Sequence, residues 1–228
     1  MPTLLALDAS TSACSCALWR DGHVVSRYRD APRQHTQLLM PMVDEVLAEA
    51  GVGLSDLDAL AYGRGPGSFT GLRIAAGTAQ GLAFALECPL IGVSTLEALA
   101  LAAHRRLHAR YVVAAMDARM NEVYAASYRC HDGMLEPLMQ EAVLAPERLR
   151  LPVASHDVDW VGIGSGWALR ERMPADVQAA LGQILSEPQP AAEDMARLAV
   201  QAWEAGERPA ADETVPVYLR NEVAWQRA

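Results

Sequence analysis

A glycine-rich stretch, GRGPGSFTGLR, links a strand-like segment to a helix-like one. Such loops often bind phosphate, because backbone N–H groups and the helix dipole converge where the helix begins. A P-loop ends in Gly-Lys-Ser/Thr, however, and this chain contains no lysine. Gly65, Gly67 and Gly71 also depart from the dinucleotide pattern GxGxxG, because one residue too many separates the last two. The loop is therefore predicted to provide a tight turn and close helix packing, with Ser68 or Thr70 as the N-cap.

Histidine and cysteine, the usual zinc ligands, occur in patterns that do not favour a metal site. His104 and His108 are four residues apart, but the neighbouring Arg105, Arg106 and Arg110 oppose a bound cation. Two histidines are also too few ligands for zinc. The four cysteines include no CxxC pair, so we expect reduced thiols, no metal and no cofactor. They are Cys14, Cys16, Cys88 and Cys130.

The composition indicates a folded protein of the cytoplasm. The chain has 228 residues, of which 51% are hydrophobic and 21% charged, so it can bury a sizeable core. No apolar run approaches the roughly 20 residues that a membrane span needs. The net charge of −9 disfavours independent binding to nucleic acid, which needs basic surface. We therefore expect any contact with RNA to require a partner protein.

Hydrophobic spacing predicts the elements of the first half in the order β-β-β-α-β-α-β-α. The strands are predicted at 3–8, 13–19, 24–28, 57–62 and 90–93, and the helices at 37–50, 72–86 and from about 96.

The second half repeats part of this pattern. Strands are predicted at 111–116, 122–128 and 159–163, and helices at about 167–173 and 191–205. A strand ending in Asp, a polar turn and a returning strand occur at both Asp8 and Asp117. This similarity indicates two related lobes, which we place at 1–102 and 103–228.

Taken with its surroundings, the glycine loop belongs to a set of motifs that resembles the TsaB family of bacterial tRNA-modification proteins. The resemblance covers nearly the whole chain. Its motifs are LLALDASTSACSCAL at 4–18, HTQLLMPMV at 35–43, GPGSFTGLRIAAGTAQGLA at 65–83, GVSTLEALA at 92–100, MDARMNEVYAA at 116–126, GSGW at 164–167 and VPVYLR at 215–220.

The resemblance implies an α/β fold of the actin-like ATPase (ASKHA, ribonuclease H-like) type, with a mixed sheet flanked by helices in each lobe. It also implies a non-catalytic subunit that acts in making threonylcarbamoyladenosine beside the tRNA anticodon. The implied partners are a TsaD-like transferase subunit and a TsaE-like ATPase. Contact with tRNA would occur only through the complex, and the chain alone would form a homodimer.

Actin-like ATPases use an Asp-led turn in each lobe to approach phosphate, and here the first lobe keeps a polar version of this turn whereas the second does not permit close approach. The first reads Asp8-Ala9-Ser10-Thr11, and the second, Asp117 to Asn121, has no glycine to permit close approach. We therefore predict no ATP hydrolysis by this chain alone, and a degenerate nucleotide site at most. Its residues would be Asp8, Ser10, Thr11, Asp117 and Arg119.

A second altered site is the metal site of the catalytic relatives, which place two histidines four residues apart after a GV-containing stretch. Thr95 and Leu99 occupy those positions here, and leucine cannot bind a metal.

Two helices of the first lobe are the expected partner interface, because the resemblance implies that family members join through them. The second helix carries small residues at four-residue spacing, including Gly77 and Gly81, and these let another helix approach closely. Packing against the chain's own sheet remains an alternative for the same helix. The predicted interface residues are Leu39, Met42, Val43, Val46, Leu72, Ala75, Ala76, Ala79, Gln80 and Ala83.

Two other functions remain open. A stand-alone actin-like ATPase or small-molecule kinase would depend on Asp8 or Asp117. A metalloprotease has little support, because the chain has no HExxH stretch.

Overall fold

A computed structural model describes residues 1–152 and 158–220, which form two five-stranded mixed sheets. The first sheet has the order β3-β2-β1-β4-β5, with β1 antiparallel to β2 and parallel to β4. Its strands are β1 (Leu4–Asp8), β2 (Ala13–Arg20), β3 (His23–Asp30), β4 (Ala59–Gly65) and β5 (Leu90–Ser94). The predicted element order of the first half is confirmed.

Three helices connect this sheet, and local signals explain where two of them begin. They are α1 (His35–Ala50), α2 (Phe69–Leu86) and α3 (Thr95–Leu107). The Ser68 hydroxyl accepts a hydrogen bond from Gly71 N, which confirms Ser68 as the N-cap of α2. The Ser94 hydroxyl caps α3 by accepting from Leu96 N and Glu97 N.

The second sheet has the order β8-β7-β6-β9-β10, which matches the first strand for strand. Its strands are β6 (Tyr111–Asp117), β7 (Val123–His131), β8 (Met134–Leu144), β9 (Trp160–Ile163) and β10 (Leu181–Leu185), and its sequence contains the helices α4 (Ala175–Ala180) and α5 (Ala192–Glu204). The prediction of two lobes with a mixed sheet in each is confirmed.

Sequence analysis missed two edge strands, β8 and β10. β8 contains Pro137 and lacks strict alternation, whereas β10 is five residues long and directly follows α4. The helix predicted at 167–173 is a 3-10 helix, Ser165–Arg172.

Alternating residues of the central strands build the core on both faces of each sheet. In β1, Leu5 and Leu7 pack under α1 and α2, whereas Leu4 and Ala6 face α5. In the second sheet α3 covers one face, and the 3-10 helix and α4 cover the other. The fold thus has five layers. Helices α1 and α2 form the first, the first sheet the second, α3 with α5 the third, the second sheet the fourth, and α4 the fifth.

Helix α5 comes from the end of the chain but packs on the first sheet. It does so through Ala192, Met195, Ala196, Ala199 and Val200. The predicted division of the chain into two lobes at residues 102 and 103 therefore stays a prediction. No helix within the described residues has both the length and the hydrophobicity to span a membrane.

Candidate functional site

The turn after β1 is closed around its own carboxylate. Asp8 is buried, and its oxygens accept hydrogen bonds from Ser10 N (3.2 Å) and the Ser10 hydroxyl (3.1 Å). Burial raises the Asp8 pKa from 3.8 to about 7, although the bonds from Ser10 oppose this shift. Thr11 is also engaged, since its hydroxyl accepts from Ala13 N. The first three predicted nucleotide-site residues are therefore bound within their own turn.

The glycine loop covers this turn with protein atoms. A Cβ on Gly71 would overlap the Ala9 carbonyl oxygen, and one on Gly67 would overlap the Ser10 carbonyl oxygen. Ser68 N donates to that Ser10 oxygen at 2.6 Å. Only glycine permits this approach of two backbones. The loop glycines do provide close packing, but they pack against the turn after β1 and not against another helix as predicted.

The turn after β6 is exposed and strained. Arg119, Met120 and Asn121 have φ values of 61°, 54° and 60°, a left-handed conformation that asparagine tolerates but that disfavours arginine and methionine. Asp117 accepts from Arg119 N (2.8 Å) and pairs with the Arg119 guanidinium (3.1 Å). The Arg119 side chain is 87% exposed. The second half of the predicted nucleotide site is thus open to solvent.

The two predicted halves make no direct polar contact with each other in the described part of the chain. Within residues 1–152 and 158–220, no hydrogen bond or ion pair joins Asp8 or Ser10 to Asp117 or Arg119. Gln189, in the segment that leads back to α5, instead bonds to Ser12 at 3.1 Å. A cleft of about 510 Å³ is lined by Gln189 and by residues of the 3-10 helix that begins at Ser165. The nucleotide site stays a prediction, and its two halves differ in access.

Thr95 and Leu99, which occupy the positions of the two metal-binding histidines of the catalytic relatives, make packing and hydrogen-bond contacts within the fold. The Thr95 hydroxyl donates to the Pro66 carbonyl at 2.6 Å, which ties α3 to the glycine loop. Leu99 is buried in the core under α3. Neither side chain is free to face a metal ion.

The two histidines of HRRLH also have structural positions. His104 Nδ1 donates to the Ala109 carbonyl (2.9 Å), and its Nε2 accepts from Gly133 N (3.3 Å). His108 is the C-cap of α3, with φ of 53°, and has left the helical face. No group of three or more His, Cys, Asp or Glu in the described part of the chain is arranged to bind a metal.

The predicted interface residues of α1 and α2 lie mostly inside the fold. Nine of the ten are at most 3% exposed and pack within the first lobe: Leu39, Met42, Val43, Val46, Leu72, Ala75, Ala76, Ala79 and Ala83. The tenth, Gln80, is partly exposed, and its amide donates to the carbonyls of Ala211 (3.3 Å) and Thr214 (2.7 Å). The nine buried side chains stabilise the chain itself, so of these ten residues only Gln80 is exposed enough to touch a partner.

The outward face of α2 carries a different set of residues. Its exposed row at four-residue spacing consists of Phe69, Arg73, Gly77, Gly81 and Ala85. A Cβ on Gly77 or Gly81 would meet no atom within 4 Å. Phe84 lies beside this row and is 83% exposed. Sequence analysis identified the glycine row but did not identify which face of α2 points outward.

Sequence analysis also missed the function of the segment VPVYLR in the fold. The Arg220 guanidinium donates to the Ala118 carbonyl (3.0 Å) and to the Glu122 carboxylate (2.6 Å). Tyr218 stacks near Phe69, with ring centroids 5.4 Å apart. The motif was visible in the sequence, but its contacts were not, because the residues it contacts lie about 100 residues or more away along the chain.

Comparison with known proteins gives a consistent result. A family model described as "TsaD: tRNA N6-adenosine threonylcarbamoyltransferase" matches residues 27–227. The tRNA threonylcarbamoyladenosine biosynthesis protein TsaB of Escherichia coli is 46% identical, over 98% of this chain and 97% of its own length. The TsaB protein of Haemophilus influenzae is 41% identical, over 99% and 96%. The solved structure of YeaZ from Pseudomonas aeruginosa has a sequence 49% identical to this chain, over 96% of this chain and 100% of its own, with a TM-score of 0.91.

Proposed function

The chain belongs to the TsaB family, and we propose that it is a non-catalytic subunit of the complex that makes threonylcarbamoyladenosine in tRNA. In this proposal it binds and activates a TsaD-like transferase subunit together with a TsaE-like ATPase. Support comes from relatives that match this chain over nearly their full length. Their names assign them to threonylcarbamoyladenosine biosynthesis. The transfer reaction itself would take place on the TsaD-like subunit.

The closed first turn supports a non-catalytic role. A phosphate and its magnesium ion would need the Asp8 carboxylate and the backbone beside it, but Asp8 is buried and the glycine loop packs on the adjacent carbonyls. The second turn is accessible but has bulky side chains where glycine would permit approach. These features argue against the alternative of a stand-alone ATPase or kinase.

One observation carries the partner-binding part of the proposal: Gly77 and Gly81 lie in the middle of α2, exposed, with free space around them. A glycine inside a helix costs about 0.5–1 kcal/mol relative to alanine. Nothing in the described part of the chain approaches these two glycines and compensates for that cost. A helix of a partner would do so, because small residues let two helix backbones approach closely.

The interface in this proposal is the outward face of α1 and α2. Buried residues such as Leu39 and Ala79 hold the two helices on the sheet. Exposed residues such as Met40, Gly81 and Phe84 would make the contact. In the absence of the TsaD-like subunit, two copies of the chain would pair through the same face.

The remaining parts of the proposal concern tRNA binding and the location of the protein. A net charge of −9 leaves little attraction for the phosphates of tRNA, so tRNA would be bound by the complex and not by this chain alone. We place the protein in the cytoplasm, where tRNA is modified.

The test is a single substitution, Gly81→Arg, which puts a long charged side chain on the outward face. We expect the variant to fold normally, since Gly81 is exposed and a Cβ at this position would meet no atom within 4 Å. It should no longer co-purify with the TsaD-like subunit and should no longer support repeated rounds of tRNA modification. Ala79→Arg is not an equivalent test, because Ala79 is buried and arginine there would unfold the helix packing.

The matched control is Ala179→Arg, which adds the same charge to an exposed position of α4 on the second lobe. It should bind the TsaD-like subunit as the unmodified chain does. Normal binding and activity of Gly81→Arg would exclude the outward face of α2. Full multiple-turnover activity of the TsaD-like subunit without this chain would refute the role altogether.

A further inference from the structure

The last described residues of the chain, 214–220, form a segment that we call the strap. It begins on the first lobe, where the Thr214 hydroxyl donates to the Leu90 carbonyl at 2.9 Å. Gln80 of α2 donates to the Thr214 carbonyl, and Val217 N donates to the Arg64 carbonyl at 2.7 Å. These bonds fix the strap along the edge of the first sheet and beside α2.

Further along, the strap completes one end of the outward face of α2. The Arg73 guanidinium lies 3.7 Å above the Phe69 ring and donates through Nε to the Tyr218 hydroxyl at 3.2 Å. Phe69 is 52% exposed. Phe69 and Arg73 are the first members of the exposed row that continues through Gly77 and Gly81, so Tyr218 extends the same surface.

The strap then reaches the second lobe and holds the strained turn after β6. Arg220 binds the Ala118 carbonyl before the turn and the Glu122 carboxylate after it. A run of left-handed residues persists only where its surroundings determine the conformation, and Arg220 supplies contacts on both sides. The exposed tip of the turn presents Arg119 and Met120, the latter 56% exposed and in contact with Arg220 of the strap.

We propose that the partner-binding surface extends from α2 across the strap to the turn after β6, so that one partner contacts both lobes. This inference rests on the proposed function, because it identifies how far the surface on α2 reaches. The occupant is the same protein partner, with a carboxylate opposite Arg73 and apolar groups opposite Phe69 and Met120. Arg220 is a positioning residue that keeps the second-lobe part of the surface in place.

The chemistry of the surface favours protein over RNA. Arg119 and Arg220 are already paired with Asp117 and Glu122, so little positive charge remains for phosphates. Arg73 has no carboxylate partner within the described residues, which leaves one cation for a carboxylate of the partner. Exposed aromatic residues, methionine and arginine are the types enriched at protein interfaces.

The experiment measures the affinity of the full chain for the TsaD-like subunit by titration calorimetry. Arg73→Ala and Arg220→Ala are each expected to weaken binding about tenfold, the usual effect of losing a residue important for binding. The matched control is Arg129→Ala, which also breaks an Arg–Glu pair of the second lobe, but one that joins neighbouring strands of one hairpin. Its affinity should equal that of the unmodified chain. Circular dichroism checks that each variant folds. Glu122→Ala removes the carboxylate that pairs with Arg220, so it should weaken binding as Arg220→Ala does.

Gly81→Arg separates this inference from the proposed function. If Gly81→Arg abolishes binding while Arg73→Ala and Arg220→Ala bind normally, the proposed role stands and the extended surface is wrong. If only Arg73→Ala weakens binding, the surface ends on α2 and the extension is overturned. If Arg220→Ala lowers binding of tRNA to the complex, or only self-association, without changing affinity for the subunit, the occupant is RNA or a second copy and the inference fails. If Gly81→Arg also binds normally, the proposed function itself fails on this face.

Discussion

The turns after β1 and β6 occupy equivalent positions in two sheets of the same strand order, yet their environments differ. The first is buried, and its Asp8 carboxylate is enclosed by Ser10 and by the glycine loop. The second is exposed, has no glycine and is held by Arg220 from the far end of the chain. One topology thus supplies a buried turn in one lobe and an exposed turn in the other. Which of these forms depends on the segment that packs against the turn.

The largest effect is expected where the glycine loop seals the first turn. Gly71→Ala places a Cβ against the Ala9 carbonyl oxygen, so the free energy of unfolding should fall by about 3 kcal/mol or more. Gly77→Ala in the same helix meets no atom and should stabilise by about 0.5–1 kcal/mol. Thermal unfolding of both variants checks this pair. Equal melting temperatures would show that the first turn is not sealed by close packing.

The next effect concerns the buried carboxyl of the first turn. The Asp8 pKa is about 7 in the folded chain and near 3.8 when unfolded, so between these values the folded state binds more protons. Stability should therefore fall as pH rises from about 4 to 7 and stay low above 7. Asp8→Asn removes this ionisation, keeps an acceptor for Ser10 N, and should stabilise at pH 8 by on the order of 3 kcal/mol. At pH 4 the variant and the unmodified chain should be nearly equal.

Urea unfolding at pH 4, 5.5 and 8 measures this difference. The equivalent variant in the second turn, Asp117→Asn, loses only an exposed ion pair and should change stability by less than about 1 kcal/mol at pH 8. Parallel curves for Asp8→Asn and the unmodified chain across this range would contradict the buried position of Asp8.

The smallest effect concerns strain in the second turn. Met120 has φ of 54°, so Met120→Gly should stabilise the fold by about 0.5–1 kcal/mol, even though a contact with Arg220 is lost. Met134 on β8 is equally exposed, at 56%, but extended, so Met134→Gly should destabilise by about 0.5–1 kcal/mol. If the second turn is strained, chemical unfolding should show changes of opposite sign in the free energy of unfolding of the two variants. The same sign for both would remove that distinction between the turns.

Sequence analysis predicted much of the fold, because strong local signals mark the first half. Alternation defines β1 and β2, Ser68 and Ser94 cap the helices, and the actin-like two-lobe prediction is confirmed by the strand order and the family match. The edge strand β8 was missed because an edge strand needs no regular alternation. β10 was missed because its short length provides little periodicity.

The candidate site was less accessible to sequence analysis. Small and apolar residues of α1 and α2 were predicted to form the partner interface, with packing against the chain's own sheet as the alternative, because periodicity cannot tell which partner they face. Ala75 and Ala79 pack within the first lobe, whereas Gly77 and Gly81 face outward. One helix therefore presents two rows of small residues with different environments.

By itself the sequence determined the family, the two related lobes and the absence of a lysine-dependent phosphate loop, since these follow from residue types and their spacing. Tertiary structure alone decided that the glycine loop closes the turn after β1, that Asp8 is buried, and that Arg220 reaches the turn after β6. The physical reason is separation along the chain. These contacts join segments about 60 and 100 residues apart, and only packing of the sheets and helices brings their atoms within hydrogen-bonding distance.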